Sequence, residues 1–225
     1  MLTAVRHSLI WSACALGVFS AASLQAQDRH LPLDHRAPTG VAGRWSALTK
    51  PGIAGAPQPV RFTLPGAGVV SFYSGSPHHP VPFAAPAQAG LGVGYVYRIR
   101  ISDMPDYPGI ELFPTVELID RLHPPAGLEQ EFPIPVQITA EDIETVLQDR
   151  MVTKVIYLEQ PDLAAPVEQT EGARIENLPP VVNLLQAADL RGRPMAIIRM
   201  GGRIPDPRGT TDEFFSSSPL QLQHP

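Results

Sequence analysis

The chain has 225 residues, 22 acidic and 17 basic, for a formal charge of −5; 44% are apolar and 17% charged. That charge density is too low for a solvated disordered polymer, and its sign is wrong for a dedicated nucleic-acid binder. A single cysteine, Cys14, excludes an intrachain disulfide framework and a cysteine-rich zinc site; 26 prolines and 18 glycines without a triplet period exclude collagen.

Residues 1–26 read as a secretory signal peptide. Arg6 supplies a short positive region, an apolar run follows from Leu9 to Val18, and small residues lie from Ser20 to Ser23. The apolar run is too short to cross a hydrocarbon core, which needs about 20 residues. Cleavage after Ala26 exposes Gln27-Asp28; cleavage after Ala22 is the alternative. The apolar run continues past Cys14 and Trp11 stands where a lipobox prefers leucine, so Cys14 reads as part of the discarded signal. The mature chain is expected to be exported, to the periplasm, the cell envelope or the medium, with no transmembrane segment.

Proline and glycine punctuate residues 27–92, as in Pro51-Gly52, Pro57-Gln58-Pro59, Pro65-Gly66 and Pro80-Val81-Pro82. Proline removes a backbone donor and fixes φ, which disfavours long helices and central strands. The segment therefore reads as a Pro/Gly-rich linker. Val60 to Leu64 and Val69 to Tyr73 are β-like and offer a short hairpin across residues 65–68.

From Val93 the pattern turns regular. Tyr95, Tyr97, Ile99 and Ile101 recur at period two, with Arg98 and Arg100 on the wetter face, which predicts a half-buried strand. Residues 103–109 form a turn set by Pro105, Pro108 and Gly109. Residues 110–119 predict a second strand, with Ile110, Leu112, Val116 and Leu118 on one face and Glu111 and Glu117 on the other. Antiparallel pairing of the two brings the arginines to the glutamates. Residues 132–138 predict a short strand. Thr139 then reads as an N-cap, with Glu141, Asp142 and Glu144 in the first turns and Ile143, Val146 and Leu147 as the apolar stripe of a helix. Residues 151–158 are apolar on both faces apart from Lys154 and predict a central strand. Pro179-Pro180 opens a second helix with Gly192 as its stop, and Met195 to Met200 is the last strand. The result is a β-rich α+β domain over residues 93–203, an elaborated sandwich or a small mixed sheet, with two short helices. Residues 204–225 read as a disordered tail.

The runs Tyr97-Arg98-Ile99-Arg100-Ile101, Asp103-Met104-Pro105, residues 108–117, residues 152–158 and residues 189–194 resemble a family of exported proteins of planctomycete-type bacteria. The resemblance implies export and a shared domain over most of residues 93–202, and carries no catalytic residues.

Motifs for chemistry are sparse. HExxH and G-x-S-x-G are absent, and His78-His79 sits between prolines with side chains that diverge on extended chain. The Gly90-Leu91-Gly92-Val93-Gly94 run precedes a strand, so it reads as a hinge into the domain and not as a phosphate loop. Asp103 and Asp106, with Glu111 beyond, offer oxygen ligands in a turn, off the spacing of a calcium loop. Tyr107 in that turn is the one aromatic platform for a sugar. Lys154 is the odd charge on an apolar strand; its expected state is a packed stem with the ammonium in water. These four residues are the candidate binding positions, with no catalytic, cofactor or metal site. The expectation is a non-enzymatic envelope protein, a structural or protein-interaction domain whose partner is an envelope protein or a cell-surface polymer and not nucleic acid. A carbohydrate-binding module and an enzyme with an unrecognised site are the alternatives.

Overall fold

The computed structural model of the chain describes residues 33–50, 52–53, 57–73, 79–160, 174–206 and 220–222. Among the described residues, eleven strands and three short helices make a β-rich, sandwich-like α+β fold. In the first sheet, strand β1 (Gln58–Thr63) lies between β4 (Ala87–Leu91), antiparallel, and β8 (Ile134–Gln137), parallel. Strand β11 (Leu220–Leu222) adds to the far side of β4. In the second, β2 (Val69–Tyr73) lies between β3 (Pro80–Ala84) and β6 (Arg100–Ser102). The third runs in the order β5 (Val96–Arg98), β7 (Thr115–Leu118), β10 (Gly192–Met200), β9 (Val152–Glu159). One large apolar core joins all three sheets, through Phe62, Phe72, Leu91, Ile101, Leu118 and Ile134 among others.

The linker reading of residues 27–92 fails for the residues described. Val60, Phe62, Val70, Ala89 and Leu91 are wholly buried. The Phe62 and Phe72 rings meet edge to face at 5.6 Å. The expected hairpin between residues 60–64 and 69–73 does not form either, because β1 and β2 join different sheets. The prolines fit because of where they fall. Pro59 precedes Val60, where parallel pairing to β8 begins; Pro80 and Pro82 lie on edge strand β3, Pro135 on edge strand β8, and Pro194 at a register shift in β10. A missing N–H is tolerated at strand starts, sheet edges and bulges. The glycine run at 90–94 ends β4 and turns into β5 within one fold, and Gly94, at φ 87°, takes a conformation that suits glycine.

The third sheet is covered on both faces. Ile156 and Val152 pack on the large core, whereas Val155 joins Ala42, Ile119, Leu185 and Ile197 in a smaller one. That second core is roofed by helix α1 (Val41–Thr49), which the sequence reading missed, and helix α3 (Leu184–Arg191). Hence β9 is apolar on both faces, yet it is an edge strand; the central position expected for it belongs to β10. The antiparallel pairing expected between residues 93–101 and 110–119 is found, with Tyr97 opposite Val116 and a further bridge from Ile101 to Leu112. Helix α3 begins after Asn183, whose side chain accepts from the N–H groups of Leu185 and Gln186, rather than at Pro179-Pro180. It ends where Gly192 opens β10. A Cβ at Gly192 would stand 2.1 Å from the Leu158 carbonyl oxygen, so only glycine lets β9 and β10 approach there.

Helix α2 (Ala140–Leu147) starts as the sequence predicts. Thr139 Oγ1 accepts from the Asp142 N–H at 3.2 Å, and the Asp142 carboxylate accepts from the Thr139 N–H at 2.7 Å, closing a capping box. Helix α1 has no such device of its own. Gly40 caps it with no side chain and its first turn holds no acid. Glu117 of β7 supplies the missing acceptor: its carboxylate takes the Gly43 N–H at 2.8 Å, at the third helical position. Glu117 was expected on the wet face; it is fully buried because α1 lies over it. Arg199 of β10 pairs with the same carboxylate at 2.8 Å and donates to the carbonyl of His35 at 3.0 Å.

Candidate functional site

The four residues singled out in the sequence do not converge. Asp103, Asp106 and Tyr107 share the turn after β6. Asp103 is exposed at φ 53° and accepts from the Ser102 hydroxyl at 2.9 Å. Asp106 is exposed, close to the backbone at Gly66. The Tyr107 ring is half-buried and packs against the large core instead of standing free as a platform. Among the described residues no three His, Cys, Asp or Glu side chains gather as metal ligands. His78 and Ser74 to Ser76 lie outside the described residues.

Lys154 is a correction. Its ammonium does not run into water; it docks on the Asp142 carboxylate and donates to the Gln137 carbonyl at 3.1 Å, with its side chain 21% exposed. The lysine thus locks α2 onto β9 through the acid that caps the helix. Lys154→Met should lower stability by about 1–3 kcal/mol, because Asp142 keeps its backbone bond but loses its cation in a largely covered place. Chemical denaturation checks this; an unchanged midpoint would mean that the pair is not formed in solution.

The site that sequence reasoning missed lies on the outer face of β5 and β6. Tyr97, Ile99 and Ile101 enter the core, so Arg98 and Arg100 share the opposite side at period two. Arg98 donates to the Phe113 carbonyl at 3.3 Å, and Arg100 pairs with Glu111 at 3.5 Å. Tyr73 and Phe113 pack together beside them. Burial pulls the Arg98 guanidinium down to about 10, and the positive charge of Arg203 pushes it the same way. Burial raises the Tyr73 hydroxyl, partly offset by Arg100. On this face the buried Nε of Arg100 and the buried hydroxyl of Ser71, its cross-strand partner, make no hydrogen bond among the described residues. By contrast the Tyr97 hydroxyl, pushed by burial up to about 12, stays protonated and accepts from the Gly92 N–H at 2.7 Å.

Glu111, the partner of Arg100, belongs to an open groove of about 510 Å³. Ile110, Leu112, Val146, Leu147 and Ile204 line it, with Glu111 and Asp149 as its acids. Leu147 is 47% exposed and Ile204 65%, large values for aliphatic side chains gathered in one place. The link to the arginine face runs through Glu111, which lines the groove and pairs with Arg100. The only sequence signal for this site was the outward pair Arg98 and Arg100; the groove joins the segment after the 103–109 turn, the end of α2 and the chain after β10. The arrangement gathers exposed aliphatic side chains and two acids in one open groove. Among the described residues no helix is long and apolar enough to cross a membrane. No protein-family model matches the chain, and no curated protein and no solved structure matches it significantly.

Proposed function

We propose that the chain is an exported, non-enzymatic interaction domain of the cell envelope, and that its contact surface is the groove between residues 109–112, the end of α2 and residues 202–204. The observation that carries this reading is the exposure of Leu147 and Ile204 in one concave, aliphatic-lined place whose lining includes Glu111 and Asp149. Apolar surface gathered in a cleft and rimmed by charge is the usual form of a contact site. Export is supported by Arg6, the apolar run from Leu9 and the small residues before Gln27. The non-enzymatic part is supported by the use made of the buried and half-buried charges. Lys154 holds Asp142, Arg199 holds Glu117 and Lys50 holds Asp120 at 2.7 Å, each fastening one element to another.

The test places a photo-cross-linking residue at Ile204 in the protein in its own cells. A discrete adduct is expected, lost when Leu147→Asp is added and absent when the cross-linker replaces Val181, which is exposed on another part of the surface. No adduct from position 204, or a catalytic turnover abolished by changing Arg98 or Arg100, would overturn the reading.

A further inference from the structure

We propose, resting on the interaction reading above, that the groove takes a short segment of a partner protein in which a lysine or arginine side chain neighbours aliphatic ones. The cation sits at Asp149 and the C-terminal end of α2, and the aliphatic side chains lie against Leu147 and Ile204. Charge is the first reason. Asp149 lines the groove, is exposed, and makes no ion pair and no side-chain hydrogen bond among the described residues. It follows the last turn of α2, whose Val146 and Leu147 also line the groove and which holds no basic residue. Carbonyl groups at a helix C-terminus carry a partial negative charge that cations offset, so an acid placed there runs against the helix dipole. An incoming ammonium or guanidinium answers both at once. Arg150, the next cation along the chain, is held on the Gln148 side chain at 2.8 Å. The acid is also left uncovered by its neighbour: a Cβ at Gly202 would stand 3.3 Å from Asp149 Oδ1, and glycine supplies none.

The lining is the second reason. Ile110, Leu112, Val146, Leu147 and Ile204 make the floor aliphatic, which fits leucine, valine or isoleucine side chains. A small cation alone would use the acid and leave that apolar surface in water, and among the described residues no three ligating side chains gather for a metal. Charge and aliphatic surface side by side call for both on one ligand, and a short stretch of polypeptide carries both. The net charge of −5 on the whole chain draws a cationic segment from a distance and repels a polyanionic glycan or an anionic membrane surface. The two acids set the register. Glu111 is answered by Arg100 at 3.5 Å, so the cation is directed to the Asp149 end.

The experiment is fluorescence anisotropy with the full exported chain and a dye-labelled peptide of alternating lysine and leucine. The same peptide with glutamate for lysine, the same peptide with serine for leucine, and vesicles of anionic phospholipid are the comparisons. The lysine-leucine peptide is expected to bind, more weakly as salt rises. Asp149→Asn should weaken it by about tenfold, the scale of one lost charge contact. Asparagine tolerates the left-handed backbone at this position, φ 58°, so the urea midpoint should not move. Ile204 is 65% exposed, so Ile204→Ser spares the fold; it should weaken the peptide and leave the salt dependence unchanged. Equal binding of the glutamate or the serine peptide, indifference to Asp149→Asn, or binding of vesicles in place of the peptide would overturn the proposal. If position 204 still cross-links to a discrete partner while the lysine-leucine peptide fails, only the cationic assignment falls. If both fail, the interaction reading falls with it.

Discussion

Glu117→Ala is expected to cost about 3–5 kcal/mol in urea denaturation, the usual result of stranding one half of a buried ion pair. Three losses coincide. Arg199, whose side chain is 11% exposed, is left with an uncompensated charge. Helix α1 loses the acceptor for its Gly43 N–H, and no residue of its own first turn replaces it. The second core, roofed by Ala42 and reached by Leu33, loosens with it. Glu117→Leu combined with Arg199→Met separates these terms. Replacing both charges by apolar groups removes the desolvation penalty, and global stability should return to near the native value or above it. Amide exchange over residues 33–50 should nevertheless stay fast, because the helix remains uncapped. Slow exchange in the double variant would show that Glu117 does not cap α1.

Phe62→Ala is the second large effect, at about 3–5 kcal/mol for a wholly buried aromatic. Phe62 lies on β1 between β4 and β8 and meets Phe72 edge to face, so the cavity opens where two sheets share one core. Against a typical domain stability of about 5–15 kcal/mol the variant is left marginal. A residue in a tether would give no change at all. Brief proteolysis makes the same distinction, because the protected fragment should begin before residue 58. A stable fragment starting near residue 93 would restore the linker reading.

Much of the fold over residues 93–203 is legible because its signals are local. The period of Tyr97, Ile99 and Ile101 gives the extended run and its buried face, though the single strand expected there divides into β5 and β6 in different sheets and Tyr95 is exposed; Thr139 with Asp142 gives the start of α2. The rest depends on what covers what. Glu117 falls on the face that alternation assigns it, but α1, from a segment read as linker, turns that face into an interior. Residues 152–158 look central because α1 and α3 cover the face that a sheet edge would expose to water. Residues 58–91 were hidden by their prolines. Proline frequency says linker, whereas proline position (strand start, edge or bulge) says sheet, and position is visible only once the strand order is known. The groove was out of reach for the same reason: no single run of sequence contains it, and only Arg98 and Arg100 announced a face.

The strand order of the first sheet also governs when the protein can fold. Val60 pairs with Ile134, and Leu91 pairs with Leu220, so this sheet is assembled from pieces far apart in the chain. Contacts of that kind pay their loop-closure entropy before any pairing rewards it, and such topologies fold slowly. During synthesis β1 can pair with β4 soon after both emerge, but its other side must wait for β8. An apolar strand with one side left open is an aggregation hazard, and prolines in and beside such strands act as gatekeepers against it. Pro57 and Pro59 at the head of β1, and Pro80 and Pro82 along β3, deny intruding chains the continuous row of N–H donors that misassembly needs. The residues that make this stretch look unstructured are thus the ones that keep it available until its proper partners arrive.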